Sequence, residues 1–212
     1  MPFKDRNDAG ERLAAHLGAV LPKGPFVVLG IPRGGVLVAR PIAARLGAPL
    51  DVVVPRKIGA PRNPELAIAA LALAGDEEIL VRDEEALAFF AVTPAQLQNA
   101  AEGARAEIER RLRAYRAGRP APGLSGQRVI LVDDGLATGL TARAALAAIA
   151  KQGPAEIVIA APVVAPETAR AFRRDGLRVE ACLSPPVFQA VGAFYQSFEA
   201  VTDEAVREAL RS

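Results

Sequence analysis

Short apolar runs alternate along this chain with segments whose apolar residues recur every three or four positions. The runs predict buried strands, because a strand covered on both faces is apolar almost throughout. The spaced segments predict amphipathic helices. The expected strands cover residues 26–31, 50–54, 128–132, 157–164 and 177–183. The expected helices cover residues 8–21, 36–46, 141–151, 166–174 and 203–210.

The middle of the chain has a less regular pattern. Its elements are expected to be a loop at 59–64, strands at 66–73 and 78–81, and helices at 84–90 and 94–117. The alanine-rich segment 66–73 fits a helix as well as a strand. We interpret residues 83–118 as a helical insertion, for which a solvated hairpin, a lid and a dimer contact are the alternatives. Residues 184–212 form a C-terminal tail, and the whole chain is interpreted as one domain.

Strands that alternate with helices and are apolar on both faces predict an α/β fold, with a Rossmann-like parallel sheet flanked by helices. Ligands of such sheets bind outside the carboxyl ends of the strands. Three loops are expected at that edge, after Ile31, Val54 and Val132. We therefore look for the chemistry of the protein in these three loops.

The loop after Val132 carries two acids and two hydroxyls. Asp133 and Asp134, the acid pair, can accept hydrogen bonds from paired hydroxyls or help to hold a divalent cation. Residues 137–141, the phosphate loop, open a helix whose first N–H groups lack partners, and Gly139 lets the backbone close on an anion. The combination predicts a sugar phosphate site. The plainer alternative is an Asp-Gly turn followed by a Thr-capped helix.

Residues 129–141 resemble the diphosphoribose-binding signature of the type I phosphoribosyltransferases. The signature consists of four apolar strand residues, two acids, two mostly apolar residues and a small-residue loop ending in Thr or Ser. The departure is Gly135, where a branched residue or Ser is usual. The resemblance implies a type I phosphoribosyltransferase fold over about residues 26–183, outside the insertion. The residues that it assigns to phosphoribosyl pyrophosphate (PRPP) here are Asp133, Asp134, Gly135, Ala137, Thr138, Gly139, Leu140 and Thr141.

A second loop fits the same ligand. Arg33, Gly34 and Gly35, the glycine loop, follow the first expected strand and precede a helix. Paired glycines let backbone amides face a polyanion, and the helix N-terminus adds positive potential. The family carries its pyrophosphate-binding loop at this place. On its own, such a sequence also fits an ordinary tight turn.

The third loop is basic. Arg56 and Lys57 follow the second expected strand, and Arg62 is a weaker candidate in the same segment. Cations on a mobile loop suit a leaving pyrophosphate, whose charge grows in the transition state. The family has a flexible catalytic loop in this region, so Arg56 and Lys57 are candidate catalytic residues. The alternative is a solvated basic turn.

The tail contains a cluster of aromatic residues. In the family, a hood that holds the acceptor base is partly built from the chain ends. Phe188, Phe194 and Tyr195 are therefore candidates for stacking on a flat acceptor ring. A place in the hydrophobic core is the equally weighted alternative for these three rings.

The amino-acid composition excludes several other classes of protein and of binding site. The 212 residues are 51% hydrophobic and 24% charged, which excludes a largely disordered chain. One Cys and one His exclude an intramolecular disulfide framework and a multi-histidine metal site. The net charge of +2 gives no support to nucleic-acid binding. Because there is no long apolar run and no signal-peptide pattern, we expect a cytoplasmic protein without a membrane segment.

The resemblance implies a transferase that moves the phosphoribosyl group of PRPP to a nitrogen acceptor and releases pyrophosphate. It implies Mg²⁺ as cofactor, held with the help of Asp133 and Asp134, and PRPP and a base as small-molecule partners. Family members that act on 6-oxopurines carry an Asp where this chain has Ala137, which counts against those acceptors. A PRPP-sensing regulator without turnover is the alternative. Analogy with the family suggests a homodimer.

Overall fold

Strands and helices alternate along the chain in the computed structural model, which describes residues 2–61 and 63–211. In chain order the elements are α1 (Arg6–Val20), β1 (Val27–Gly30), α2 (Gly34–Leu46), β2 (Leu50–Val52), β3 (Arg56–Ala60), β4 (Asn63–Ala74), β5 (Glu77–Arg82), α3 (Glu84–Phe89), α4 (Pro94–Arg116), β6 (Arg128–Val132), α5 (Leu140–Ala150), β7 (Glu156–Val163), α6 (Pro166–Arg174), β8 (Arg178–Leu183) and α7 (Asp203–Ala209), with a 3-10 turn at Val191–Phe194. Within the described residues, none of the helices is long and apolar enough to cross a bilayer.

Five parallel strands form the main sheet, in the order β2-β1-β6-β7-β8. Helices α1 and α2 cover one face, and α5 and α6 cover the other. Successive residues of β1 point to opposite faces of the sheet. Val28 packs with Leu13 and Ile42, whereas Leu29 packs with Leu146. Burial on both faces explains why these strands are apolar throughout, and it confirms the expected Rossmann-like α/β class.

Three antiparallel strands form a second sheet, in the order β3-β4-β5. On one face, Ala70 and Ala72 of β4 pack against Ala144 and Ala148 of α5. Small side chains on both surfaces let the sheet lie close to the helix. The alanine-rich segment is therefore a strand, and its composition reflects this contact.

The expectation of a loop at 59–64 is wrong. Strand β3 continues to Ala60 and β4 begins at Asn63, so the turn formers make a tight hairpin. The strand pairing is irregular around Gly59. A Cβ atom on Gly59 would lie 2.3 Å from the carbonyl oxygen of Pro64, which explains why this position needs glycine.

The helical insertion covers the outer face of the second sheet. Residues on one side of α4, including Leu97 and Ile108, are buried with Leu71 of β4. At its C-terminal end Arg116 forms an ion pair with Asp51 at 2.9 Å, and Asp51 is only 6% exposed. One face of α4 is thus packed on the second sheet along its length, whereas its other, charged face is exposed to solvent.

Candidate active site

The glycine loop and the acid pair lie side by side at the carboxyl edge of the main sheet. Gly30 of β1 is level with Val132 of β6, and the N–H of Ile31 donates to the carbonyl oxygen of Val132 at 2.8 Å. The next residues of both strands therefore leave the sheet together. The sheet register brings together two motifs that are about one hundred positions apart in the sequence.

The two carboxylates of the acid pair have different surroundings. Asp133 Oδ1 accepts the backbone N–H of Asp134 at 2.8 Å, whereas Asp134 Oδ2 accepts from Nε of Arg6 at 2.8 Å. Burial raises the pKa of the Asp133 carboxyl well above its usual range, and the adjacent charge of Asp134 raises it further. Asp134 is held in an ion pair, and no ion pair to Asp133 occurs within residues 2–61 and 63–211.

Gly34 and Gly35 are the first two residues of α2, so their N–H groups lack partners within the helix. A Cβ atom on Gly34 would lie 1.9 Å from Oδ2 of Asp134, and one on Gly35 would lie 2.6 Å from the carbonyl oxygen of Val132. Only glycine allows the loop to approach the acid pair this closely. The Arg33 side chain is 44% exposed and lies 3.9 Å from the Asp203 carboxylate.

Contacts from α6 fix the phosphate loop. The Thr168 hydroxyl donates to the carbonyl oxygen of Ala137. Gly139 has a φ of +75°, and a Cβ atom there would lie 2.9 Å from Phe172 and from Thr168. Helix α5 begins at Leu140, so its first N–H groups open toward this loop. A turn at Gly139 and the free N–H groups of a helix start thus lie at the place for which the sequence pattern predicts anion binding.

Thr138, Leu140 and Thr141 line a cleft of about 690 Å³ between the phosphate loop and the second sheet. Lys57 lies on the opposite wall of this cleft. The side chains that line the same cleft also include two further cations and three acids, namely Arg82, Arg143, Asp83, Glu84 and Glu85. The charges of the cleft therefore balance, and a preference for phosphate there rests on the phosphate loop.

Arg56 and Lys57 lie on β3, and their placement on a mobile loop is a prediction that the structure corrects. Successive side chains of a strand point to opposite faces. Lys57 pairs with Ala70, on the α5 side of the sheet, whereas Arg56 pairs with Leu71, on the α4 side. Only Lys57 lines the cleft described above. Arg62 lies outside the described residues.

The three aromatic candidates of the tail differ in exposure. Tyr195 is 7% exposed, packs against Phe3 and donates its hydroxyl to the carbonyl oxygen of Asp134 at 2.6 Å. For this residue the core alternative is the one that the structure shows. Phe188 and Phe194 are half-buried, with ring centroids 5.3 Å apart. Val191, between them in sequence, lies over Gly135 and would meet any Cβ atom there.

The acid pair fits an Mg²⁺ ion that is bound largely through substrate oxygens. Protein-bound Mg²⁺ commonly keeps several waters and uses one or two carboxylates together with substrate phosphates. Asp134 is already bonded to Arg6 through Oδ2, and the pKa of Asp133 is raised by burial. A bound cation would favour the charged form of both carboxylates. Within the described part of the chain, no group of three His, Cys, Asp or Glu residues forms a complete protein cage for a metal.

Sequence reasoning missed three groups that hold the site together. They are Arg6, which binds Asp134, the Thr168 hydroxyl, which binds the phosphate loop, and the Tyr195 hydroxyl, which binds the backbone of Asp134. Arg6 and Asp134 are 128 positions apart, and no spacing in the sequence relates them. Thr168 lies within an expected helix and has no marking feature, and Tyr195 is a candidate from the sequence for its ring and not for its hydroxyl.

Comparison with known proteins agrees with this geometry. The family model of the phosphoribosyl transferase domain matches residues 4–183. Two Mycobacterium tuberculosis proteins, both named "Putative phosphoribosyl transferase", are 37% identical over 204 residues, which is 96% of this chain and 45% of theirs. The chain thus spans less than half the length of these relatives. The crystal structure of TT1426 from Thermus thermophilus is 42% identical, with a TM-score of 0.81, over 99% of this chain and 98% of that one. The chain belongs to the phosphoribosyl transferase domain family.

Proposed function

We propose that the chain transfers the phosphoribosyl group of PRPP to a nitrogen acceptor and releases pyrophosphate in an Mg²⁺-dependent reaction. The observation that carries the proposal is the contact between the glycine loop and the acid pair, with the phosphate loop following on the same strand end. PRPP has a sugar diol between two phosphate groups. An acid pair between two anion-binding loops matches that order of chemical groups.

Each loop has a defined part in this reaction. The N–H groups at the start of α5, with the hydroxyls of Thr138 and Thr141, bind the 5′-phosphate. The carboxylates of Asp133 and Asp134 accept hydrogen bonds from the ribose hydroxyls. The N–H groups of Gly34 and Gly35 bind the pyrophosphate. Lys57, across the cleft from Thr141, adds a positive charge to the phosphate side of the substrate.

The chemical step is a substitution at the anomeric carbon. The acceptor nitrogen forms a bond to C1 and loses its proton, while the C1–O bond breaks and its electron pair leaves with pyrophosphate. The protein mainly orients the reactants and stabilises the developing charges. Asp133 and Asp134 would help to hold Mg²⁺, which would neutralise part of the negative charge on the phosphate oxygens.

The acceptor is bound under the C-terminal tail. Phe188 and Phe194 offer half-buried rings near the loop that follows the acid pair. Ala137 supplies no carboxylate that could accept a proton from the ring of the acceptor. Acceptors that need such a carboxylate at this position are therefore disfavoured. We propose a flat nitrogen base other than a 6-oxopurine.

Pyrophosphate release from PRPP and Mg²⁺, measured with a panel of purine, pyrimidine and pyridine bases, tests the proposal. Calorimetry of PRPP binding accompanies it. Release with one base supports a transferase and identifies the acceptor class. Tight binding without release from any base supports a sensor, and absence of binding contradicts both.

Two matched variants locate the activity. Asp133→Asn removes the proposed ribose contact and should abolish Mg²⁺-dependent PRPP binding. Asp76→Asn, in an exposed turn between β4 and β5, makes the same chemical change away from the site and should bind like the wild type. Equal affinities for wild type and Asp133→Asn would contradict the ribose assignment.

A further inference from the structure

The second sheet has a free edge at β5. This strand lies last in the order β3-β4-β5, and it pairs with β4 from Glu77 to Arg82. The N–H of Asp83 donates to the carbonyl oxygen of Ile68 at 2.9 Å, so Asp83 and every second residue before it bond toward β4. The backbone groups of Glu78, Leu80 and Arg82 therefore point away from the sheet. A row of such groups can pair with a further strand.

The opposite edge of the same sheet differs from β5. The pairing of β3 with β4 shifts register at Gly59, whereas β5 pairs with β4 in regular order throughout its length. Irregular pairing twists an edge strand and discourages the addition of another. Strand β5 is therefore the edge of the second sheet that is regular enough to pair with another strand.

The charges of β5 match those of a second, antiparallel copy of the same strand. Glu78, Leu80 and Arg82 share one face of β5, because alternate side chains point to the same side. Antiparallel pairing about a two-fold axis at Leu80 would place Glu78 opposite Arg82 of the second copy. Opposite charges directly across a strand pair stabilise it, and like charges oppose it. A strand protected against self-pairing would carry like charges at these two positions.

Both charged side chains are open to such a contact. Arg82 is exposed and forms no ion pair with the residues that the structure describes. Glu78 pairs with Arg105 of α4 at 2.9 Å, with side chains 33% and 36% exposed. Because ion pairs at such exposure contribute little, Glu78 can share or exchange this partner.

The next acids in this register are already bonded within each copy. Glu77 would lie opposite Asp83 of the second copy. Glu77, however, binds Lys151 at 2.7 Å, and Asp83 accepts the backbone N–H of Ala86 at 2.9 Å. Their charges are thus offset locally, and Glu78 and Arg82 decide the charge balance of the contact.

Apolar surface lies beside the same edge. Phe89, at the end of α3, is 82% exposed. Its neighbours Ala88 and Ala91 line a cleft of about 440 Å³ together with Leu80 of β5. Exposed apolar surface with charged residues around it is typical of a contact between proteins.

We infer that two copies of this chain associate through β5, in an isologous contact that joins their second sheets into one continuous antiparallel sheet. Glu78 of each copy pairs with Arg82 of the other, and Leu80 lies at the two-fold axis. Arg82 also lines the cleft that contains Lys57 and Thr141, so the contact borders the candidate site. The inference concerns assembly and does not depend on the reaction of the domain.

Charge exchange tests the inference, with sedimentation equilibrium measured over a range of protein concentrations. The wild type should be a dimer. Glu78→Arg brings cations opposite each other and Arg82→Glu brings anions opposite each other, so each should raise the dimer dissociation constant about tenfold or more. The double variant, Glu78→Arg with Arg82→Glu, should dimerise like the wild type, because it restores both ion pairs in the opposite sense.

A mixture of the two single variants is the sharpest arm of this test. One copy then carries only cations at the two positions and the other carries only anions. An equimolar mixture should therefore form heterodimers, although each variant dimerises poorly alone. Native mass spectrometry of the mixture identifies the mixed species.

Two controls separate the contact from changes within one copy. Arg105→Gln removes the partner of Glu78 in the same chain and should leave the dimer intact. Glu11→Arg makes the same charge change as Glu78→Arg at an exposed position of α1, which covers the far face of the main sheet. It should also remain dimeric.

A monomeric wild type overturns the inference, and so does a dimer that persists unchanged in both single variants. Circular dichroism of each variant shows whether it is folded. If the two single variants are folded but do not associate when mixed, charge across the strand pair is not what holds the dimer, and the pairing of β5 is contradicted.

Discussion

The main sheet carries its candidate binding groups on backbone loops at strand ends, whereas the second sheet carries the candidate Lys57 within a strand. In the main sheet, the register that places Gly30 beside Val132 also places the glycine loop beside the acid pair. In the second sheet, the position of Lys57 depends on how β4 packs on α5 through alanines. The distance between Lys57 and the phosphate loop therefore depends on the placement of one sheet against the other.

This difference shows which contacts must be intact for the site to form. A parallel sheet covered on both faces fixes its own loops, because its strands cannot slip without exposing the core. The strand register of the second sheet does not by itself fix the position of that sheet relative to the candidate site. It is placed by its contact with α5, by the packing of α4 and by the ion pair between Arg116 and Asp51.

Removing the Asp51 carboxylate should give the largest effect. Arg116 donates from Nε to Asp51 Oδ2 at 3.0 Å and from Nη2 to the carbonyl oxygen of Val52 at 3.2 Å. Asp51→Ala leaves a half-buried guanidinium without its counter-charge, which should lower the free energy of unfolding by about 3 kcal/mol. Urea unfolding measures this loss. PRPP affinity should fall as well, since the second sheet loses a tie to the main sheet.

Glu77→Ala is the matched control, because it also removes an ion pair between the two layers. Glu77 of β5 binds Lys151 at 2.7 Å, with both side chains more than half exposed. Exposed pairs contribute little, so the loss should stay below about 0.5 kcal/mol. Equal losses for the two variants would show that burial of the Asp51 pair has no special part in joining the sheets.

Two Gly→Ala substitutions, one in the glycine loop and one in the insertion, should have opposite effects on stability. A Cβ atom on Gly35 would lie 2.6 Å from the carbonyl oxygen of Val132 and 2.8 Å from Cα of Asp133, both of them backbone atoms. Gly35→Ala should therefore cost about 2 kcal/mol of stability and weaken PRPP binding. Thermal unfolding and calorimetry measure the two effects.

Gly103, in the exposed middle of α4, has open space where a Cβ atom would be. Gly103→Ala should raise stability by about 0.5–1 kcal/mol, because alanine favours the helix, and should leave PRPP binding unchanged. A stable Gly35→Ala protein with full affinity would mean that the glycine loop tolerates displacement from the acid pair.

The sequence predicts the main sheet and its loops well for a physical reason. Strands buried on both faces are marked by continuous apolar runs, and the acid pair and the glycines follow two of them directly. The hairpin at residues 59–64 is not predicted, because turn formers mark a loop and a tight hairpin equally. The separation of Arg56 from Lys57 needs the strand assignment, and the bond from Arg6 to Asp134 needs the folded chain.

The smallest expected effect concerns a carboxylate that links the insertion to the glycine loop. Asp203, at the start of α7, accepts from the Tyr115 hydroxyl of α4 at 2.7 Å and lies 3.9 Å from Arg33. The hydrogen bond from Tyr115 lowers the pKa of Asp203, and burial raises the pKa of Tyr115 to about 12. The charged form of Asp203 therefore stabilises the fold.

Asp203→Asn should lower the free energy of unfolding by about 1 kcal/mol at neutral pH. Because the pKa of Asp203 is lowered in the folded state, its contribution is complete above about pH 4, the region of an unfolded Asp, and is lost as the pH falls through the folded pKa. Urea unfolding of wild type and variant at pH 7 and pH 3 should therefore show a difference that shrinks with acidity. Glu204→Gln is the control, because it changes the next acid of the same helix turn without affecting Tyr115. A difference that persists unchanged at pH 3 would mean that the shape of the side chain, and not its charge, joins the insertion to the glycine loop.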